Sequence, residues 1–311
     1  MGELVLAVGL SFLSGADCSL LYDTLLELDE EEDYAMRIGR LNFIANVSSA
    51  ISGIAGAFIL EVYWRLPAYL ETIVLLALVP ISLTLVEPRR LASKSTDVEL
   101  EPRLGMFAII NEALLLNRVV RQTIFLSAVI AVSTLAAFWL TQPWQAQAGI
   151  PIALFGFIYA GLRIAVAFSS LIVPCLTKKL GFNGVVIICI ALIGTVYLGV
   201  AFVDYAWFVL AFVGFSIARG FAMVIFSERI NKLISSDRRS TVLSIESLVS
   251  RLCFVPLGPL LGWIADLYSL SAALAFSGVL FTLLNGIILW KCHKADKSDD
   301  PSKENAELLY L

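Results

Sequence analysis

The sequence predicts an all-α polytopic membrane protein with nine transmembrane helices, and three observations predict it. Hydrophobic residues make up 59% of the 311-residue chain and charged residues only 15%, with a mean hydropathy of +0.86. A soluble domain of this length carries about 25% charge. The apolar residues gather into stretches of roughly 20, the length at which a helix rising ~1.5 Å per residue crosses ~30 Å of hydrocarbon. The basic residues are also sorted: eighteen of the 22 Lys and Arg residues fall on one side of the resulting topology.

The stretches lie at about residues 3–22, 41–60, 67–86, 122–141, 150–175, 184–202, 206–226, 242–264 and 268–290. The first is not a signal peptide, because it lacks a basic leader, is too long and reaches Asp17 without a small-residue cleavage site. Alternating the loops puts Arg37 and Arg40, the 87–121 segment, Lys178 and Lys179, Arg229 to Arg239 and the tail from Lys291 on the basic side. Arg65 alone falls on the other, and Arg163, Arg219 and Arg251 lie within spans. By the positive-inside rule the rich side is cytoplasmic. The N-terminus is then outside, the C-terminus inside, and the setting a plasma (inner) membrane. The net charge of -4 adds nothing to this, since orientation follows placement rather than sum.

The spans divide the chain into residues 1–87 with three helices, a cytoplasmic linker at 88–121, six helices over 122–290 and a tail at 291–311. In the linker, EPRRLASKSTDVELEP reads as flexible. LGMFAIINEALLLNRVVRQ places Phe107, Ile110, Leu114 and Leu115 near one helical face, as in a helix lying on the membrane surface. The charged tail is expected to be disordered. The five cysteines have no CxxC spacing and read as apolar packers, and the single histidine, His293, has no partners for a metal. No cofactor, metal or nucleic acid is expected. Neither a GxxxxGK[ST] phosphate loop nor an HExxH or GxSxG motif is present, so an ATPase or membrane enzyme has no support in the sequence.

A weak internal repeat relates helices one to three to helices seven to nine. An offset of 205 carries Gly15 to Gly220 and Asp23 to Glu228, and one added residue carries Gly56 to Gly262. Internal repeats are how many secondary transporters are built. Further motifs point the same way: SGADCSLLYDTL (14–25), RIGRLNF (37–43), WRLP (64–67), QPWQAQAGIP (142–151), FGFIYAGLR (155–163), RINKLISSDRRSTVLSIESLVSRL (229–252) and GPLLG (258–262). In this order and topology they resemble the major facilitator superfamily of transporters, over essentially residues 3–290.

The resemblance implies two six-helix halves joined by a cytoplasmic loop. The chain would begin at the fourth helix, with a truncated N-terminal half and a complete C-terminal half. It implies a secondary transporter moving a small solute by alternating access, coupled to an ion gradient, protons first. The alternative is a truncated, transport-incompetent membrane protein, or a fragment that needs a partner or self-association to cover its missing helices. Two departures matter. LTKKLG (176–181) echoes the family's basic loop without its acidic residue, and Gly53 and Gly56 stand without the proline of antiporter fifth helices. A drug–proton antiporter is therefore not implied.

Charge in hydrocarbon is costly, so intramembrane ionisable groups mark candidate sites. Arg163 or Arg219 could bind an anionic group on a substrate, while Asp17 or Glu246 carries a coupling proton. The plain alternative is structural ion pairing, with Glu246 expected to meet Arg219, and Arg251 at matching depth. Asp23 with Arg40, and Glu228 with Arg239, read as inner-face latches in the two copies. Trp139, Gln142, Trp144, Gln145 and Gln147 suit either an interfacial aromatic belt or an outer vestibule. Asn46 is a candidate interhelical or cavity group, and Gly53 and Gly56 with Ser48, Ser49 and Ser52 suggest close helix packing.

Overall fold

The computed structural model describes residues 16–63, 65–84, 117–151, 154–203, 205–234 and 236–298, and among them every regular element is helical. We number the helices α1 (Ala16–Glu27), α2 (Tyr34–Val62), α3 (Leu66–Ser82), α4 (Arg118–Gln147), α5 (Phe155–Phe202), α6 (Val213–Leu233), α7 (Ser236–Leu267) and α8 (Leu270–Ser298). Short 3-10 turns precede α2 at Glu31–Asp33 and α6 at Ala206–Phe212. Five segments are long and apolar enough to cross a membrane: α4, α5, α6 with its 3-10 lead, and the apolar parts of α7 and α8. Helix α3 is apolar but shorter.

The described residues thus contain eight α-helices rather than nine, because the stretches expected at 150–175 and 184–202 join into the 48-residue α5. That helix is not straight. Gly214 of α6 abuts Val196, whereas Gly220, two turns on, abuts Val166 and Ser169. The two glycines are about 9 Å apart along α6, but Val166 and Val196 would be about 45 Å apart along an unbent helix. Helix α5 therefore doubles back on itself at Gly181, whose φ of 70° and ψ of 173° suit only glycine. Both arms are membrane-length, Phe155 to Leu180 and Phe182 to Phe202.

Other boundaries also move. Helix α4 starts at Arg118, where the Asn117 side chain accepts the Val120 N–H at 3.0 Å, one turn before the expected span. Helix α8 runs on to Ser298, so the tail expected to be disordered from residue 291 begins as helix. The linker at 88–103 and the amphipathic segment with Phe107, Ile110, Leu114 and Leu115 lie outside the described residues, as does the chain before Ala16.

Without water to drive apolar surfaces together, helices in lipid associate by close packing and interhelical hydrogen bonds. The first arm of α5 follows α2 along its length. Ser170 Oγ donates to the Gly39 carbonyl at 3.1 Å, Phe43 meets Phe168 edge to face, and Tyr159 packs on Gly53. The second arm packs on α8, where Gly194 faces Thr282 and Gly278 faces Tyr197. Tyr197 is fully buried, donates to the Ser133 carbonyl of α4 at 2.7 Å and stacks edge to face on Phe215 of α6. Helix α3 has no buried residue among those described and packs on α2, presenting Tyr69 to Leu83 outward as a lipid-facing helix would.

Candidate functional site

Chain direction places Asp23, Tyr34, Arg118, Lys178, Ser227, Arg239 and Lys291 at one end of the bundle and Trp144, Phe155 and Leu267 at the other. We call these the Asp23 end and the Trp144 end. Between them lie two cavities that share Thr134 and Arg219.

The first cavity is toward the Trp144 end, between α4, the first arm of α5 and α6. Its walls are mostly apolar, with Leu135, Phe138, Leu162, Val166, Phe212 and Phe215, and its polar groups are Thr134, Thr141, Tyr159, Ser216, Arg163 and Arg219. Arg163 Nε donates to Tyr159 Oη at 2.9 Å and its Nη1 makes a long contact of 3.5 Å with Asn46 Oδ1. The guanidinium also lies over the rings of Tyr159 and Phe138, at 5.0 and 5.9 Å from their centroids. Tyr159 is tied in turn to Ser49 of α2, oxygen to oxygen at 3.2 Å. Asn46 is buried and also donates to the Asn42 carbonyl of its own helix at 2.7 Å.

The second cavity continues toward the Asp23 end and adds α1, α2 and α7 to its walls, through Cys18, Asn42, Glu246 and Ser247, alongside Ser127 of α4. Glu246 and Arg219 both line it but do not pair: Glu246 Oε1 accepts from Ser127 Oγ at 2.6 Å. The expected ion pair fails because α4, not α6, presents the nearer polar group at that depth. Arg251 departs further. It stands exposed on the outward face of α7, away from both cavities.

The Asp23 end is closed by contacts between α1–α2 and α6–α7. Arg239 forms an ion pair with Asp23, donates to the Ile234 carbonyl at 3.0 Å and lies 4.1 Å over the Tyr22 ring. The Arg239 side chain is 4% exposed and that of Asp23 18%. Beside it, Tyr34 Oη and Ser227 Oγ share a 2.6 Å hydrogen bond, and Tyr22 meets Tyr34 edge to face. The pairing differs from the expected one. Asp23 takes the arginine expected for Glu228, while Glu228 pairs with Lys232 one turn along its own helix at 2.6 Å. Arg40 is exposed and contacts the Met36 sulfur at 3.3 Å. A sequence reading that pairs residues across one loop misses a bond that joins two distant segments.

At the Trp144 end the residues of the expected belt or vestibule separate. Trp139 and Gln142 face outward, but Trp144 and Gln145 are buried, and Trp144 Nε1 donates to the Val200 carbonyl at 3.1 Å. Trp144 is a core residue packed on Phe212, not an interfacial anchor. Gly53 does pack closely, whereas Gly56 has open space around it. Asp17 lies on α1, but its side chain is outside the described residues. Two contributors went unnoticed in the sequence: Ser127, which holds Glu246, and Tyr159, which holds Arg163. Both are ordinary helix residues whose role depends on what faces them.

A multi-pass helical bundle with polar, partly charged cavities along its axis, closed at one end by contacts between its early and late helices, defines a membrane transporter. The family to which the chain belongs is the major facilitator superfamily, whose model matches residues 6–255. No curated protein matches the chain.

Proposed function

We propose that the protein is a secondary transporter that moves a small solute by alternating access, driven by an ion gradient with protons as the coupling ion. The observation that carries this reading is the pair of cavities meeting at Arg219 and Thr134 above an end closed by Asp23–Arg239 and Tyr34–Ser227. A solute entering from the Trp144 end would reach Arg219, and opening the Asp23 end would release it through the second cavity. Glu246 is the proton carrier in this scheme, since it lines the second cavity with one hydroxyl as its described partner. Asp17 is a second candidate carrier from its place on α1. Gln142 and Gln145 belong to the approach at the Trp144 end. Nine spans are proposed, with both arms of α5 crossing, residues 1–87 and 122–290 as the two helical units, the Asp23 end cytoplasmic and a plasma-membrane setting.

The test is solute uptake into proteoliposomes with and without an imposed pH gradient. Stimulation by the gradient, lost in Glu246→Gln while exchange of solute at equal concentrations persists, supports proton coupling through that residue. Uptake that ignores the gradient, or a Glu246→Gln variant that still follows it, rejects it.

A second reading is favoured by Arg251, an exposed charge in the middle of α7, which is the least covered of the five candidate spans. In that reading a partner or a second copy covers this face, and the chain alone does not transport. Transport by protein reconstituted at one chain per vesicle decides against it.

A further inference from the structure

Resting on the transporter reading above, we propose that Arg163 and Arg219 together bind the carboxylate of a small organic anion whose apolar body fills the cavity toward the Trp144 end. Both arginines line that cavity. No acidic residue is among its described lining groups. The described partners of Arg163 are all neutral, namely Tyr159, Asn46 and the Phe138 ring. They orient the guanidinium and leave its charge uncancelled. Glu246, the acidic residue among the described lining of the second cavity, is engaged by Ser127.

Two cations at membrane depth without a carboxylate are a costly arrangement for a purely structural role, and a guanidinium removed from water is stable when paired. An arginine presents a planar fork of donors that matches a carboxylate, and two arginines on different helices could share its two oxygens. The remaining walls fix the rest of the ligand. Phe138, Leu162, Phe212 and Phe215 would bury an aromatic or aliphatic body, while Thr141 and Ser216 offer few polar contacts. Since α5 and α6 supply one arginine each and Arg219 lines both cavities, the ligand would sit where the two cavities meet. It could therefore be handed from one to the other.

The experiment is equilibrium binding to the purified full chain in lipid nanodiscs, by calorimetry and thermal shift. The probes are benzoate, phenylacetate and hexanoate, with benzamide as neutral isostere, benzylamine as cation and phenyl phosphate as the alternative anion. The carboxylates should bind and raise the melting temperature, benzamide and benzylamine should not, and Arg219→Gln and Arg163→Gln should each weaken carboxylate binding at least tenfold. Arg219→Lys should lose less than Arg219→Gln. Without ligand, Arg219→Gln should melt no lower than the parent, because it removes an uncompensated charge.

Equal binding of benzoate and benzamide, binding of no carboxylate, or preference for phenyl phosphate overturns the proposal. So does a ligand-free Arg219→Gln protein that melts clearly lower, which marks a structural residue. Binding is measured without flux, so carboxylate binding with no uptake sinks the transporter reading alone. Arginine-independent uptake of a neutral solute sinks this one alone.

Discussion

Replacing Asp23 with Asn should open the Asp23 end of the bundle. The substitution keeps the size of the side chain and removes its charge, leaving the Arg239 guanidinium with one backbone carbonyl and the Tyr22 ring. Breaking a fully buried ion pair from one side costs about 3–5 kcal/mol. Arg239 is 4% exposed but Asp23 is 18% exposed, so water shares part of the burden and the loss should be about 2–3 kcal/mol. At 1.4 kcal/mol per tenfold, the closed state should lose a factor of about 30–150 relative to the open one. Cys18 lines the second cavity and supplies the reporter. In a variant with Cys175, Cys189, Cys253 and Cys292 replaced by Ser, a membrane-impermeant maleimide added at the Asp23 end reads how often that end opens. Labelling of Cys18 should accelerate at least 30-fold in Asp23→Asn and similarly in Arg239→Gln, with the double variant no faster than either. Rates within threefold of the parent in a variant of unchanged melting temperature would refute the reasoning, as would additive effects in the double variant.

Tyr34→Phe removes a neutral hydrogen bond at the same end, about 1 kcal/mol, and should accelerate Cys18 labelling only about fivefold. Gly220→Ala would place a methyl 1.9 Å from Ser169 Oγ and 2.6 Å from the Val166 carbonyl, and should destabilise the bundle by about 1–3 kcal/mol in thermal unfolding. Ser169→Ala should restore only part of that loss, because the carbonyl remains in the way. Gly181→Ala strains a backbone that only glycine occupies easily and should cost about 1–3 kcal/mol by the same measurement, leaving the topology of a C-terminal tag unchanged. Trp144→Phe deletes the bond to the Val200 carbonyl and should cost about 1 kcal/mol while leaving ligand binding intact.

What was legible in the sequence follows from which forces act locally. Span placement depends on twenty-residue runs of apolar composition, so α2 through α8 stand close to where the runs lie. Their ends depend on single groups, such as the Asn117 side chain that starts α4 a turn early, and these are invisible to a hydropathy average. The turn at Gly181 is written in one glycine between two apolar runs, and its positive φ ends the first arm and starts the second. Arg163 and Arg219 were legible as charges out of place. Their convergence on one cavity was not, because it requires α5 to fold back so that its first arm meets α6. Glu246 was rightly singled out, but its partner was misjudged, since depth along a helix says nothing of azimuth around it. Arg251 fails for the same reason: its depth matches Arg219 while its face of α7 points the other way.

The offset of 205 read from the sequence also relates the contacts at the closed end. The offset of 205 that carries Asp23 to Glu228 also carries Tyr34 to Arg239. The bond from Asp23 on α1 to Arg239 on α7 therefore has an image joining Tyr34 on α2 to residue 228 on α6. The structure places the Tyr34 bond one residue away, on Ser227. Helices α2 and α7 begin at Tyr34 and Ser236, and α3 and α8 at Leu66 and Leu270, so the two copies keep the same spacing to within a few residues. The first helix of each copy thus grips the second helix of the other, once through an ion pair and once through two hydroxyls. A pair of unequal clasps has a mechanical consequence. Losing the ion pair should open the end far more than losing the hydroxyl bond, yet either loss frees the same two helix pairs to part. The graded labelling of Cys18 in Asp23→Asn and Tyr34→Phe therefore tests the correspondence itself as well as the strength of each bond.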